Sequence, residues 1–208
     1  MPESGTFPEP HGGWLCLDFA NTVEPRYGRP ERDHLGNYAD LVRWAQFAGV
    51  LDTDAGARLL RQAAARPAAA RDRWVFAIEF REAIYRVFAS VAAGGSPAAT
   101  DLNKLRDAYA DAIRQARLRA DDGRFGWTWE DHTLDLPWWP VALSAIELAT
   151  AGPVDRLKTC PTDGGCAWLF VDTTKNRSRR WCSMGDCGSG VKAKRQTARR
   201  RAARQAGR

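Results

Sequence analysis

Residues 179–190 read RRWCSMGDCGSG, two cysteines close together between an arginine pair and a glycine-serine-glycine run. Cys182 and Cys187 are matched upstream by Cys160 and Cys166, so four of the five cysteines follow a C-x5-C-x15-C-x4-C spacing. Two close pairs divided by a longer insert suit a tetrahedral metal, because each tight turn presents two thiolates and the insert brings the turns together. PTDGG inside the first pair and SMGD inside the second supply the Pro, Asp and Gly that such turns need. Two disulfides, or cysteines that meet by coincidence, are the alternatives, and the disulfides would need an oxidising compartment. We favour one structural Zn²⁺ on Cys160, Cys166, Cys182 and Cys187, since four thiolates close the coordination sphere and leave no open position for catalysis.

Outward from these turns, the segment is poor in apolar residues: Leu157, Trp168, Leu169, Phe170, Val171, Trp181, Met184 and Val191 are nearly all it has. A module of about 50 residues with so little core seldom folds without a metal or disulfides. WLFVD, residues 168–172, reads as a strand and TTKNRSRR, residues 173–180, as a polar turn, so the insert is expected to form a hairpin. Ser189 is placed to cap a helix running from Gly190 to Gln205, with Cys187 just before its start. Knuckle, hairpin and helix together predict a treble-clef-like finger ending in a basic helix.

Charge divides the chain in two. Net charge is +6, yet residues 156–208 hold 14 Lys and Arg against 3 Asp and Glu, a balance of +11, while residues 1–155 hold 17 against 22, a balance of −5. Arg177, Arg179 and Arg180 fall in the expected hairpin turn and return strand, and Lys192, Lys194, Arg195 and Arg199 follow the last cysteine. At about 100° per residue Lys192, Arg195 and Arg199 share one helical face. A helix so cationic repels itself, and a phosphate polyanion is its natural partner. Basic residues that flank a rigid metal scaffold favour nucleic acid over a merely solvated tail, with double-stranded DNA ahead of RNA because no RNP or GXXG pattern occurs.

The acidic part is mainly helical by pattern. Tyr38, Leu41, Val42, Ala45, Ala48 and Gly49 recur at one-face spacing, a second helix is expected over residues 54–66, and RDRWVFAIEFREAIYRVFASVAAGG is apolar around most of its circumference, as befits a central helix. Leu102, Leu105, Tyr109, Ala112, Ile113 and Ala116 form another stripe with Thr100 as N-cap, and LPWWPVALSAIELATAGP is a helix entered through proline and closed near Gly152. WLCLDFANT, from its alternation of Leu15, Leu17 and Phe19, is expected to be a short strand, and RFGWTWED a half-buried one. The expected fold class is α+β: about five helices with a small antiparallel β element over residues 1–152, then the finger over residues 156–208.

Asp18, Asn21 and Thr22 could line a small-molecule pocket with Trp127, Trp129 and Trp138, for a candidate inducer. The plainer reading, which we prefer, is that Asp18 and Asn21 satisfy turn amides and the tryptophans are core. Cys16 reads as a small buried hydrophobe. His11, His34 and His132 are scattered, and no HExxH, GxSxG or P-loop pattern occurs, so no enzyme is expected. MPESGTFPEPHGGW lacks the features of a secretory signal and no stretch has the length of a membrane span, which predicts a cytoplasmic protein and no membrane partner.

CLDFANTVE, LPWWPVALSA and, most specifically, CAWLFVDTTKNRSRRWCSMGDCG resemble the family that joins an N-terminal ABATE domain to a C-terminal CGNR-type zinc finger, a family of stress-related bacterial transcription regulators. The resemblance spans nearly the whole chain. It implies zinc on the same four cysteines, DNA-facing charge at Arg177, Arg179, Arg180, Lys192 and Lys194, and a predominantly helical N-terminal domain with a small sheet; the role expected of that domain is ligand sensing, homodimerisation or both. The chain departs from the family at the letters that name it, with CGSG, ending in Ser189 and Gly190, in place of CGNR. Serine can cap as asparagine does, whereas glycine lacks the donors and charge of arginine. The expected function is a zinc-finger DNA-binding transcription regulator; the alternative is an adaptor whose finger binds an acidic protein and whose tail is solvated.

Overall fold

The computed structural model describes residues 7–28, 30–130, 133–161 and 166–189. The expected basic helix, with Gly190, Lys192, Lys194, Arg195 and Arg199, lies outside the described residues.

The first apolar run is a helix, α1 (Leu15–Ala20), and not the expected strand. Six residues are too few for alternation to mean anything, and Cys16, Leu17, Phe19 and Ala20 are all buried, which a half-exposed strand could not achieve. The turn is started by Trp14, whose carbonyl accepts from the amides of Leu17 and Asp18, and Gly12 closes it by donating to Asp18 Oδ1 at 2.8 Å. A side chain on Gly12 would meet Leu17 Cβ at 2.6 Å, so glycine is needed there. The chain then forms a two-residue ladder between β1 (Val23–Glu24) and β2 (Arg32–Asp33).

Helix α2 (Tyr38–Phe47) is capped by Asn37 and α3 (Thr53–Ala65) by Asp52, each side chain accepting the amide three residues on. Pro67 opens α4 (Pro67–Ala92), the 26-residue helix that packs on α1, α2, α3 and α5. Its buried face is Ala77, Phe80, Ala83, Ile84, Val87 and Phe88, with Arg81 among them, while Val75 is exposed. Helix α5 (Ala99–Gln115) begins at Ala98 without a side-chain cap, so Thr100 lies within its first turn and does not cap it. α6 (Trp139–Ala151), with Pro140 in its first turn, completes six α-helices among the described residues, one more than expected before residue 153.

Between α5 and α6 stands an antiparallel hairpin, β3 (Arg117–Asp121) and β4 (Arg124–Thr128). β4 is exposed where a half-buried strand was expected: Phe125 is 75% exposed, and Leu118 and Trp127 also face solvent. The core is reached only past the strand end, where Trp129 donates its indole N–H to Ala112 O and lies 6.3 Å from Trp139.

After a 3-10 turn (Val154–Arg156), β5 (Leu157–Thr159) pairs with β6 (Leu169–Val171). The register sets Leu157 opposite Val171 and Thr159 opposite Leu169, and Cys160 N–H continues the ladder to Trp168 O at 2.8 Å. The hairpin therefore spans the first cysteine pair, not the insert between pairs, and residues 173–183 form no return strand. Alternation along residues 168–171 explains the choice. Leu169 and Val171 join Leu157 in the core built on α1, α4 and α6, whereas Trp168 and Phe170 face the cysteines with Trp181. Among the described residues no helix is long and apolar enough to cross a membrane.

Candidate metal centre

Cys160 leaves β5, Cys166 precedes β6, and Cys182 and Cys187 come from the second turn, so the two turns meet face to face. All four Sγ atoms lie within 4.8 Å of one another, with Cys166–Cys182 at 3.3 Å, Cys166–Cys187 at 3.6 Å and Cys182–Cys187 at 3.7 Å. Zn–S bonds of about 2.3 Å in a tetrahedron require S···S edges of about 3.8 Å. The donor set, its spacing and its partly buried setting fit one structural zinc. Without a cation the thiols conflict: hydrogen bonds from Cys166 and Cys182 push the Cys160 thiol strongly down, and the same contact pushes Cys166 up. A divalent ion resolves this by facing every sulfur at once.

The second turn is a π-helical turn (Met184–Gly188) capped by Ser183, whose Oγ accepts from Asp186 N–H at 3.3 Å. Ser189, expected as a cap, instead donates its hydroxyl to Met184 O at 3.0 Å. Gly188 lies against Trp181, where a Cβ would stand 3.0 Å from the indole Cδ1.

Asp172 organises the insert, and sequence reasoning passed over it. The side chain is fully buried, and it accepts from Lys158 Nζ at 2.6 Å, Thr174 N–H at 2.9 Å and Arg179 N–H at 2.9 Å. Burial alone would raise its carboxyl, but the bonds from Lys158 and Thr174 outweigh burial and hold it well below the usual carboxylate range. The available signal was that Asp172 is the one acidic residue in residues 167–181, among four basic ones.

The three arginines expected to face DNA have different roles. Arg179 is committed inward: its guanidinium donates to the carbonyls of Trp181, His11 and Cys182 and lies 4.5 Å over the Phe170 ring. With those donors used, it braces the second knuckle against the N-terminal segment and is not available to phosphate. Arg180 is exposed, 5.5 Å from the Trp181 ring, and exposed Arg177 forms a solvent-facing pair with Asp155 at 2.7 Å.

The six candidate pocket residues are not brought together. Trp138 is core, 4.8 Å from Phe76 and 5.9 Å from Phe80. Thr22 is buried, donating to Phe19 O and accepting from Arg81. Asp18 and Asn21 border a small cavity of about 140 Å³, while Trp127 and Trp129 line a separate groove of about 780 Å³. Burial pushes the Asp18 carboxyl up to about 6, and burial likewise pushes the Cys16 thiol up to about 12.

Asn21 holds the finger to the helical part. Its Nδ2 donates to Leu169 O at 2.9 Å and its Oδ1 accepts from Leu169 N–H at 3.0 Å, so one side chain imitates a neighbouring strand. Three further bonds tie the first knuckle to the same region: Arg26 N–H to Cys166 O, Tyr85 OH to Ala167 O and Trp168 Nε1 to Val23 O. Arg26 and Arg81 flank Glu82, and Arg81 also grips Asp33 with two N–H donors at 2.7 and 2.8 Å.

A family model described as "Putative stress-induced transcription regulator", ABATE, matches residues 13–152, and the model of the CGNR zinc finger matches residues 156–200. No curated protein matches the chain.

Proposed function

The chain belongs to the ABATE family and carries a CGNR zinc finger, and from that premise we propose that it is a ligand-responsive transcription regulator that binds duplex DNA through the finger and the basic segment behind it. The observation that carries this reading is the position of the metal centre. Cys187 directly precedes residues 188–208, which hold eight Lys and Arg and no Asp or Glu. A closed zinc site braced by Arg179 and Asp172 gives that charge a rigid origin. Lys175, Arg177 and Arg180 add exposed cations on the adjoining loop.

Support for ligand response comes from α1. Leu15 at its start lines the larger groove, and Asn21 at its end grips Leu169 in the finger. A molecule in the groove therefore contacts the helix that positions the DNA-binding part.

The test is a salt series of duplex binding with the full-length protein and metal content measured on the same sample. Six or more phosphate contacts predict a fall in affinity of at least about 10³ between roughly 50 and 200 mM salt. Binding that ignores salt, or no binding at low salt with about one zinc per chain, refutes the DNA reading. The second outcome would favour an adaptor that binds an acidic protein, in keeping with Gly190 standing where the family has arginine.

A further inference from the structure

Strand β4 has an outer edge on which no other strand lies among the described residues. Asp122 and Gly123 are both left-handed, with φ of 45° and 76°, so β3 and β4 are joined by a two-residue type I′ turn that closes on the Asp121–Arg124 pair. Hydrogen-bonded and open pairs alternate along an antiparallel ladder. Arg119–Gly126 and Arg117–Thr128 are therefore bonded pairs, and Ala120–Phe125 and Leu118–Trp127 are open ones. The backbone N–H and C=O of Phe125 and Trp127 consequently point away from β3. The side chains of Leu118, Ala120, Phe125 and Trp127 share one side of the hairpin, and all four residues are exposed. A two-stranded hairpin is marginal in water, and further strands with a common apolar side stabilise it.

The residue order of β4 matches a second copy of itself. An isologous antiparallel pairing centred on Gly126 sets Phe125 opposite Trp127 of the second copy, and Trp127 opposite its Phe125. The outward N–H and C=O groups of the two copies then satisfy one another, and each aromatic side chain gains an aromatic cross-strand neighbour. Arg124 falls opposite Thr128, so no like charges meet. Gly126 lies on the axis in an open pair, where backbones approach most closely and the lack of a side chain helps. The two-fold axis is perpendicular to the sheet, which keeps the apolar residues of both copies on one side. Charge excludes the other edge: the same operation on β3 sets Arg119 against Arg119. The stretch Phe125–Gly126–Trp127 also lacks the Lys, Pro or inward charge that commonly guards a free edge.

We propose that β4 is a dimerisation edge, on which a second copy of this chain adds its own β4 to make a four-stranded sheet. The pairing does not depend on whether the finger binds DNA.

Sedimentation velocity of the full-length, zinc-loaded protein from about 1 to 100 μM should show a reversible monomer–dimer equilibrium. Phe125→Pro removes an outward N–H and no bond of the β3–β4 ladder, and should leave the protein monomeric at about 100 μM. Leu118→Lys places a charge on the same apolar side but on the far strand, and should leave the dimer in place. Gly126→Cys, whose side chain meets open space within one copy, should form a disulfide-linked dimer with oxidised glutathione faster than wild type or Arg124→Cys. The wild-type rate accounts for the native cysteines. If Phe125→Pro loses its far-UV helical signal, the Gly126→Cys result decides alone. A wild-type protein monomeric at about 100 μM, a dimer that survives Phe125→Pro, a dimer lost with Leu118→Lys as face-to-face docking requires, or Gly126→Cys linking no faster than Arg124→Cys would each overturn the proposal.

Discussion

Replacing Asn21 with alanine removes two hydrogen bonds at once, and both partners belong to Leu169, which is fully buried. The variant leaves a buried N–H and a buried C=O unsatisfied, at about 1–3 kcal/mol each, so the expected loss is about 4 kcal/mol. For a protein of this size each kcal/mol corresponds to roughly 2–4 °C, which predicts a Tm lower by about 10 °C. Urea denaturation should give a lower midpoint with the slope unchanged. Asn21→Asp sharpens the test. At neutral pH a carboxylate still accepts from Leu169 N–H but opposes Leu169 O, and it should cost at least as much as alanine. Near pH 4 the protonated acid can donate to that carbonyl, and part of the loss should return. A cost for alanine below about 1 kcal/mol, or an aspartate variant with no such recovery, would show that Asn21 does not join the two parts.

Cys182→Ser should lower zinc content from about one per chain to near zero while far-UV circular dichroism keeps most of its helical signal, since α1 to α6 lie outside the finger; retention of zinc by the variant contradicts a four-thiolate site. Arg179→Gln should speed zinc transfer to a chromogenic chelator and Arg180→Gln should not, whereas Arg180→Gln should lower duplex affinity and reduce the salt slope by about one; equal effects from both would remove the distinction between brace and contact. The Asp18 carboxyl, raised by burial to about 6, holds its proton in the folded state where the unfolded chain has lost it, so its contribution to stability is present below about pH 4 and is lost as pH rises through 6. Asp18→Asn should therefore stabilise the protein at pH 7.5 by up to about 3 kcal/mol and flatten the stability profile between pH 4 and 6, as read by urea midpoints across that range.

The metal site was legible because four thiols in two close pairs, in a segment with little apolar core, meet at one ion once the insert folds back. The helices from α2 to α6 were legible because each repeats its apolar stripe over ten or more residues. α1 was not, since six residues with nearly every side chain buried carry no usable period. β6 was recognised as a strand but given the wrong partner. Its mate β5 has three residues, LKT, with no β signature of its own, and the pairing is set by which face of β6 each core requires. Arg179 and Asp172 illustrate a different limit. Basic residues in a run look alike in sequence, and only the carbonyls around Arg179 separate a brace from a surface cation.

One strand closing two cores has a consequence for how the chain comes into being. When a ribosome has completed residues 1–152, the helices exist but Leu157, Leu169 and Val171, which fill their last gap, have not been made. The helical part must wait for its final strand, and the same strand then carries Trp168 and Phe170 to the cysteines. Metal capture and completion of the helical core become a single late event in synthesis. A cell short of zinc would accumulate chains open on the very surface that β6 should cover, and proteases would find them there.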